Sequence, residues 1–253
     1  MSGMQRDGLD LDEVAQTYKT AEHLPEPLPD DPFPILRAWF DDAHERRLTA
    51  NPNAMTLATV ALTPQGPRPE ARIVLCKALE PRRGVLTFYT NYRGPKARQL
   101  GETPYACCVF HWDAAQRQVR VCGPVLPAPA AESDAYFAGR PWQSRVGTHA
   151  SDQSEPIPSR EALLAKVEQT IERFGVDLEG LERGTAPDPA IPRPAHWGGF
   201  RVWAERVELW SGGTGRVHDR AEWARTLARR APEATEACDE FEPGPWRGTR
   251  LQP

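Results

Sequence analysis

The sequence Arg72-Ile-Val-Leu-Cys-Lys77, a turn at residues 80–84 and the run Val85-Leu-Thr-Phe-Tyr-Thr-Asn91 together decide the predicted fold. Both runs are short and rich in β-branched or aromatic residues, and the turn between them contains a glycine. Two such runs joined by a short turn predict a β-hairpin, with residues 69–79 paired to residues 85–91. The chain therefore begins its central part with antiparallel strands.

Arg72 and Lys77 lie at the two ends of the first run. They are five residues apart, so an ideal strand would direct their side chains to opposite faces. Two separate anions would then satisfy them, and so would solvent at exposed strand ends. A third cation, Lys96, lies in the first turn of a short helix predicted at residues 95–101, where unpaired N–H groups attract anions.

The remaining strand and helix signals favour a mainly β fold with flanking helices. An apolar strand is predicted at residues 55–62, and a second hairpin pairs residues 105–112 with residues 117–125. Because strands follow strands through short turns, an antiparallel barrel or sandwich is favoured over a βαβ fold. Helices are predicted at residues 31–48, 129–139 and 159–174, with Asp31 and Ser159 as N-caps.

Composition excludes several classes of protein. The chain has 253 residues and a formal net charge of −4, so it can bury a core and shows no basic excess for nucleic-acid binding. No apolar stretch approaches the ~20 residues of a membrane span, and no signal peptide is evident, which predicts a cytoplasmic location. Four of the five cysteines lie in apolar runs, and neither cysteines nor histidines show metal-site spacing.

The chain divides into an arm and one domain. Residues 1–30 are polar and end in a proline-rich connector, which predicts a flexible arm with a short helix at residues 10–19. Residues 31–253 form the predicted domain. Within it, residues 149–158 are predicted to be a polar loop, and residues 175–194 a longer loop rich in proline, glycine and charge. No role is predicted for that longer loop.

Tyr136, Arg140 and Ser144 are spaced by four residues each. Because Pro141 disfavours a helical conformation at the residue before it, Arg140 is expected at a helix end. A phenol, a guanidinium and a hydroxyl together supply several donors for one phosphate. The alternative is a packing aromatic, an exposed arginine and a loop serine.

The most specific pattern is Trp210-Ser-Gly-Gly-Thr-Gly-Arg-Val-His-Asp-Arg220. Its glycines permit close backbone approach. Arg216, His218 and Arg220 alternate, so an extended segment would place all three on one side. They would repel one another unless an anion or an electron-rich ligand lay among them. The alternative is a polar hairpin edge with incidental charges.

These segments together resemble the pyridoxamine 5'-phosphate oxidase family over roughly residues 31–253. The resemblance rests on R-I-V-L-C-K with F-Y-T-N and Lys96, the Tyr/Arg/Ser set, Gln153-Ser154 and the W-x-G-G-x-x-R-x-H-D-R pattern. It implies an FMN-binding split β-barrel and a homodimer with FMN between the subunits. It also implies oxidation of pyridoxamine 5'-phosphate or pyridoxine 5'-phosphate by O2, with release of H2O2.

The resemblance also assigns residues by position. The FMN contacts would be Arg72, Ile73, Val74, Leu75, Cys76, Lys77, Tyr89, Thr90, Lys96, Gln118, Gln153, Ser154, Trp210 and Arg220. The substrate contacts would be Lys77, Tyr136, Arg140, Ser144, Arg216 and His218, with the last two as the catalytic pair and His218 as the proton-handling group.

Two departures from the family pattern carry expectations. Pro95 stands where the family has an arginine that holds the FMN phosphate, so FMN binding would be weaker unless Arg93 or Arg98 substitutes. The arm lacks the family's basic residues, so no lid role is predicted for it.

Two other functions compete with the oxidase. One is a related flavin oxidase with a different substrate, as in phenazine formation. The other is a non-catalytic flavin-binding split barrel. The intact Lys77, Tyr136, Arg140 and Ser144 set favours a phosphorylated substrate over the first and an enzyme over the second.

Overall fold

The computed structural model describes residues 11–230 and 240–253. The α-helices in these ranges are α1 (Leu11–Thr17), α2 (Phe33–Glu45), α3 (Pro95–Glu102), α4 (Ala130–Ala138), α5 (Trp142–Ala150), α6 (Arg160–Arg173) and α7 (Leu178–Glu182). The strands are β1 (Ala54–Thr63), β2 (Gly66–Leu75), β3 (Ala78–Glu80), β4 (Val85–Asn91), β5 (Tyr105–Trp112), β6 (Arg117–Pro127), β7 (Trp197–Trp203), β8 (Arg206–Ser211), β9 (Asp219–Ala224), β10 (Leu227–Arg229), β11 (Phe241–Pro243) and β12 (Arg247–Leu251).

Ten of these strands form one large antiparallel sheet that branches at β6, and β10 and β11 pair separately. The main path runs β12-β9-β8-β6-β5-β1-β2, and a side branch runs from β6 through β7 and β4 to β3. Residues 117–122 of β6 pair with β8, whereas residues 125–127 pair with β7. This shared strand turns the two branches towards each other, and the hydrogen-bonded path does not close into a barrel. The predicted mainly β class with flanking helices is confirmed.

The central hairpin differs from its prediction. β2 pairs with β1 along its whole length, and β4 pairs with β7 and with the three residues of β3 but not with β2. The chain changes partner between Cys76 and Lys77: the Cys76 N–H donates to the Asn53 carbonyl, and the Lys77 N–H donates to the Thr87 carbonyl. Periodicity could not show this because each run is a good strand by itself.

The helix predictions are confirmed in part. α2 begins two residues after Asp31, whose Oδ1 accepts from the Phe33 N–H, and it ends at Glu45 rather than residue 48. α4 and α6 occur as predicted, and the Ser159 hydroxyl accepts from the Ala162 N–H. Two helices were missed: α5 takes up the start of the predicted 149–158 loop, and α7 lies inside the predicted 175–194 loop.

The main core lies between the branches of the sheet and α2. Fully buried aromatic side chains dominate it, among them Phe33, Phe88, Phe110, Trp112 and Trp223. A second, smaller core lies under α4 and α5. None of the described helices has the length and apolar character that crossing a bilayer requires.

The cysteines divide by burial. Cys76 and Cys108 are buried as predicted, whereas Cys107 and Cys122 are half-buried and face each other across β5 and β6. Within the described ranges, no three His, Cys, Asp or Glu side chains group as metal ligands.

The described part of the N-terminal arm contacts the loop after β8. Thr20 forms an isolated bridge with Gly213, and the Ala21 N–H donates to the Gly212 carbonyl at 2.8 Å. The Leu24 N–H donates to Asp219 at 2.8 Å. Residues 1–10 lie outside the described ranges, and the flexibility of the 1–30 arm stays a prediction.

Candidate active site

A cavity of about 820 Å³ lies where β2, β4, α3 and α5 meet. It gathers most of the residues that the sequence assigned to ligands: Arg72, Ile73, Val74, Leu75, Lys77, Tyr89, Thr90, Lys96, Tyr136, Arg140, Ser144, Gln153 and Ser154. Cys76 is the exception in its run, because its side chain is buried and its Sγ lies 3.3 Å from the Ala78 carbonyl oxygen. Six separate segments of the sequence therefore meet at one cavity.

Arg72 and Lys77 both line this cavity, although an ideal strand would have directed them to opposite faces. The change of partner after Cys76 breaks the alternation, because Lys77 already follows the backbone of the β3–β4 branch. The parity argument was therefore wrong in its geometry.

Arg72 and Lys96 form a cationic cluster at the β2–α3 side of the cavity. Arg72 is held by Thr59 Oγ1 at 2.5 Å and Gln99 Oε1 at 3.1 Å, with Glu70 3.1 Å away as an ion-pair partner. Burial and the nearby charge of Arg72 lower the pKa of Lys96. The two positive charges are therefore close enough to interact, as expected of side chains that bind one anion together.

Gln153 joins α3 to the loop after α5. Its Oε1 accepts from Lys96 Nζ at 2.6 Å and from Thr90 Oγ1 at 3.2 Å. A side chain on Gly94 would approach the same oxygen to 3.1 Å, so this glycine keeps the helix close to the loop. These contacts fix the direction of the Lys96 ammonium.

The missing arginine at Pro95 has no replacement in the lining of this cavity. Pro95 is the first residue of α3, after the N-cap Gly94. Arg98 turns away, since its Nη1 donates to the Arg93 carbonyl at 2.5 Å and lies 3.8 Å from Glu155. Neither Arg93 nor Arg98 lines the cavity.

Three stacked rings form the opposite wall of the cavity. Tyr89 stacks on Tyr136 with centroids 3.9 Å apart and an angle of 8°, and Tyr89 lies 5.4 Å from Trp197. A side chain on Gly199 would meet the Tyr89 ring at 2.9 Å, so the stack requires glycine there. No role was predicted for Trp197, although its place directly before Gly198 and Gly199 was an available signal.

Arg140 lies at the end of α4, as predicted, with its guanidinium carbon 4.7 Å from the Trp197 ring centre. Its Nη1 donates to Thr148 Oγ1 at 2.8 Å, and that hydroxyl donates to the Ser144 carbonyl at 2.8 Å. Burial is the main cause that lowers the pKa of Arg140, and the charge of Arg145 lowers it further. Thr148 was not predicted, because nothing in the sequence marks a single threonine on an unpredicted helix.

The C-terminal group lies outside the lining of this cavity and consists of Gln118, Trp210, Arg216, His218 and Arg220. Gln118 pairs with Trp210, and Trp210 pairs with Arg220, in register across β6, β8 and β9. The guanidinium of Arg220 contacts Glu208 at 2.7 Å, and Glu208 is almost fully buried. Arg220 therefore has a carboxylate partner within the chain.

Arg216 and His218 do not lie on an extended segment with Arg220, which corrects the prediction. Thr214–Arg216 forms a 3-10 turn, and Arg216 has a φ of 65°. His218 follows the turn, with its ring 4.7 Å from Trp210 and its Nδ1 accepting from the Gly213 N–H at 3.0 Å. Glycines in the pattern allow this turn, which the alternation argument did not consider.

Comparison with known proteins identifies the family. A family model described as "Pyridoxamine 5'-phosphate oxidase" matches residues 40–174, and one described as "Pyridoxine 5'-phosphate oxidase C-terminal dimerisation region" matches residues 197–253. A pyridoxine/pyridoxamine 5'-phosphate oxidase of Gloeothece citriformis is 47% identical over 190 residues, which is 75% of this chain and 80% of the relative. The oxidase 1 of Ralstonia nicotianae is 44% identical, covering 88% of this chain and 90% of the relative.

The solved structures agree. PhzG from Burkholderia lata 383, determined in complex with tetrahydrophenazine-1-carboxylic acid, aligns with a TM-score of 0.67 and 27% identity, covering 89% of this chain and 94% of PhzG. The split-barrel class is thereby confirmed, with the open sheet described above. The chain belongs to the pyridoxamine 5'-phosphate oxidase family of oxidoreductases, whose cofactor is FMN.

Proposed function

We propose that this enzyme oxidises pyridoxamine 5'-phosphate or pyridoxine 5'-phosphate to pyridoxal 5'-phosphate, with O2 as electron acceptor and H2O2 as product. One observation carries the proposal: a single cavity holds two separate groups of cationic and hydroxyl side chains. A flavin phosphate and a substrate phosphate would each need one such group.

The residues present fit FMN. Arg72 and Lys96 supply two adjacent cations for a phosphate, and burial keeps both from full hydration. Thr90, Gln153 and Ser154 add hydroxyl and amide groups around them. The cavity volume lies in the upper part of the range of about 300–1,000 Å³ found for pockets that bind small molecules.

The second group fits the phosphate of a B6 vitamer. Lys77, Tyr136, Arg140 and Ser144 all line the same cavity, and Thr148 holds the guanidinium of Arg140. When bound, FMN supplies the two-electron chemistry of the reaction. The protein contributes orientation, because a phosphate held by this group places the vitamer ring at a defined distance from the cofactor site.

His218 is the group proposed to handle a proton. Its Nδ1 accepts from a backbone N–H, so in the neutral ring the proton lies on Nε2. The neighbouring Arg216 would contact the ring side of the substrate. Both belong to the C-terminal group, which does not line the cavity within one chain.

We infer that a second copy of the chain completes the site. The cavity residues and the C-terminal group are separate within one subunit, and the C-terminal region matches a family model described as a dimerisation region. A symmetric dimer would bring the C-terminal group of each subunit to the cavity of the other. The proposed location of this homodimer remains the cytoplasm.

Aerobic turnover of pyridoxamine 5'-phosphate by the purified protein with added FMN tests the function. Pyridoxal 5'-phosphate and H2O2 should form in equal amounts, and Arg140→Ala or Arg216→Ala alone should abolish turnover. FMN binding without turnover of either phosphorylated vitamer would contradict the proposal and favour a related flavin oxidase with another substrate.

Mixing the two inactive variants tests the shared site. In a mixed dimer, one site would carry both substitutions and the other site neither. Random reassembly should therefore restore about a quarter of the wild-type activity. If activity stays at the level of the separate variants after subunit exchange is shown, the site is not shared between subunits.

A further inference from the structure

The 175–194 segment packs against α4 and α5, the helices that position Tyr136, Arg140 and Ser144. Its Val176 and Ile191 are buried in one small core with Phe137 of α4 and Val146 of α5, next to Trp197. Segments rich in proline and charge usually bury too little apolar surface to be ordered. The two buried side chains therefore indicate that this segment is anchored. The segment is therefore packed under the cavity wall.

Polar contacts fasten the same segment to α5. Arg145 of α5 forms an ion pair with Asp188, and His149 Nε2 lies 2.8 Å from the Pro192 carbonyl oxygen. Arg145 lies one residue beyond Ser144 on the same helix. The position of Ser144 and of α5 thus depends on contacts made by the segment.

A third contact fastens the segment to α4. The Arg193 side chain donates through Nε to Asp134 at 2.6 Å and through Nη1 to the Trp197 carbonyl at 2.6 Å. Asp134 precedes Tyr136 on α4 by two residues, and Trp197 is the ring that Arg140 covers. Arg193 therefore joins the segment to α4, which carries Tyr136, and to Trp197, which contacts Arg140.

The Arg145–Asp188 ion pair should be sensitive to substitution, because its arginine is buried. Arg145 is only 4% exposed, and its Nε has no partner among the described residues. Its charge also acts on Arg140. Removing the Asp188 carboxylate would leave this buried guanidinium unpaired on the helix that carries Ser144, and an unpaired buried charge destabilises the structure around it.

We propose that the 175–194 segment is a brace that positions Tyr136, Arg140 and Ser144 for the phosphate of the substrate, with Asp188 and Arg193 as its positioning residues. The proposal rests on the proposed function for the identity of the substrate. Among the described residues, the contacts that hold the brace go to α4, α5 and Trp197 and not to Arg72 or Lys96, so we expect it to act on the substrate phosphate and to leave FMN binding unchanged.

Substrate selectivity separates positioning from general stabilisation. Asp188→Asn should raise the KM for pyridoxamine 5'-phosphate about tenfold with little change in kcat, because misplacement of binding groups by a fraction of an ångström weakens phosphate contacts. The ratio of kcat/KM for pyridoxamine 5'-phosphate to kcat/KM for unphosphorylated pyridoxamine should fall by the same factor. The Kd for FMN, measured by flavin fluorescence, should be unchanged.

Matched variants complete the experiment. Glu179→Gln removes an exposed ion pair with Arg183 in the same segment and should leave every parameter unchanged. Asp188→Glu should recover much of the selectivity, and Asp134→Asn, on the other side of the brace, should lower it as Asp188→Asn does.

The outcomes distinguish the brace from the function. If the wild type turns over both substrates and the selectivity ratio of Asp188→Asn and of Asp134→Asn equals that of the wild type, the brace is refuted. If the wild type turns over neither, the proposed function fails, and the brace is then tested by pyridoxal 5'-phosphate binding in calorimetry. Binding weakened about tenfold by Asp188→Asn, but not by Glu179→Gln, would still support the brace. Equal binding would overturn it.

Discussion

Replacing Pro95 with arginine should tighten the binding of FMN. Pro95 is the first residue of α3 and is half-buried, and the next residue, Lys96, lines the cavity. An arginine there would reach the phosphate that Lys96 and Arg72 are proposed to hold. The first position of a helix tolerates arginine, so the backbone should not change.

The magnitude follows from two opposing contributions. A hydrogen bond between a guanidinium and a phosphate contributes about 1.5–3 kcal/mol, and ordering a long side chain costs about 0.5–1.5 kcal/mol. The difference is roughly 1–1.5 kcal/mol, which lowers the Kd about five- to tenfold. Crowding with the existing cations acts on the protein without FMN, whose free energy of unfolding should fall slightly.

Fluorescence titration of FMN into the cofactor-free protein measures this change. Pro95→Gln is the control, because it removes the ring and adds a polar side chain without charge. The gain from arginine over glutamine should shrink as salt rises from 50 mM to 500 mM, since screening weakens partly exposed ion pairs. Equal Kd values for the two variants at low salt would refute the placement of the phosphate beside α3.

Two further predictions concern the fold and the cofactor site. Gly123→Ala should lower the free energy of unfolding by about 3 kcal/mol, because its Cβ would lie 1.8 Å from the Trp203 carbonyl oxygen. Gly101→Ala, in open space on α3, should raise the free energy of unfolding by about 0.5–1 kcal/mol. Urea titration measures both changes. The affinity for FMN should fall as pH rises through the lowered pKa of Lys96, because only the charged ammonium holds the phosphate. Lys96→Arg should move this loss of affinity to higher pH. FMN titrations across alkaline pH measure the change, and the same pH profile in wild type and Lys96→Arg would show that Lys96 does not contact the phosphate.

The strands were predictable because their signals are local. The second hairpin, residues 105–112 with residues 117–125, needs only alternation and a short turn, and the structure confirms it. Pairing over longer distances was not predictable in this way. β2 joins β1 rather than β4 because the partner of a strand depends on the packing of the whole sheet.

The candidate site shows the same limit. Family motifs led to Tyr136, Arg140 and Ser144, and all three line the cavity. Thr148 and Trp197, which hold Arg140, were missed because their role depends on α5 and on a stack assembled from three elements. The turn at Arg216 was missed because alternation presumes an extended backbone.

The change of strand partner between Cys76 and Lys77 has a consequence for tolerance to changes in chain length. The residues from Arg72 to Lys77 join two branches of the sheet, and backbone hydrogen bonds anchor both sides of the junction. One residue inserted there would rotate Lys77 away from the cavity and separate the two cationic groups. The turn at residues 81–84 is anchored as well, because the Gly84 carbonyl accepts from the Ala204 N–H and the Arg83 carbonyl accepts from the Arg225 side chain. Viable length variants of this protein should therefore carry no insertion between residues 72 and 77.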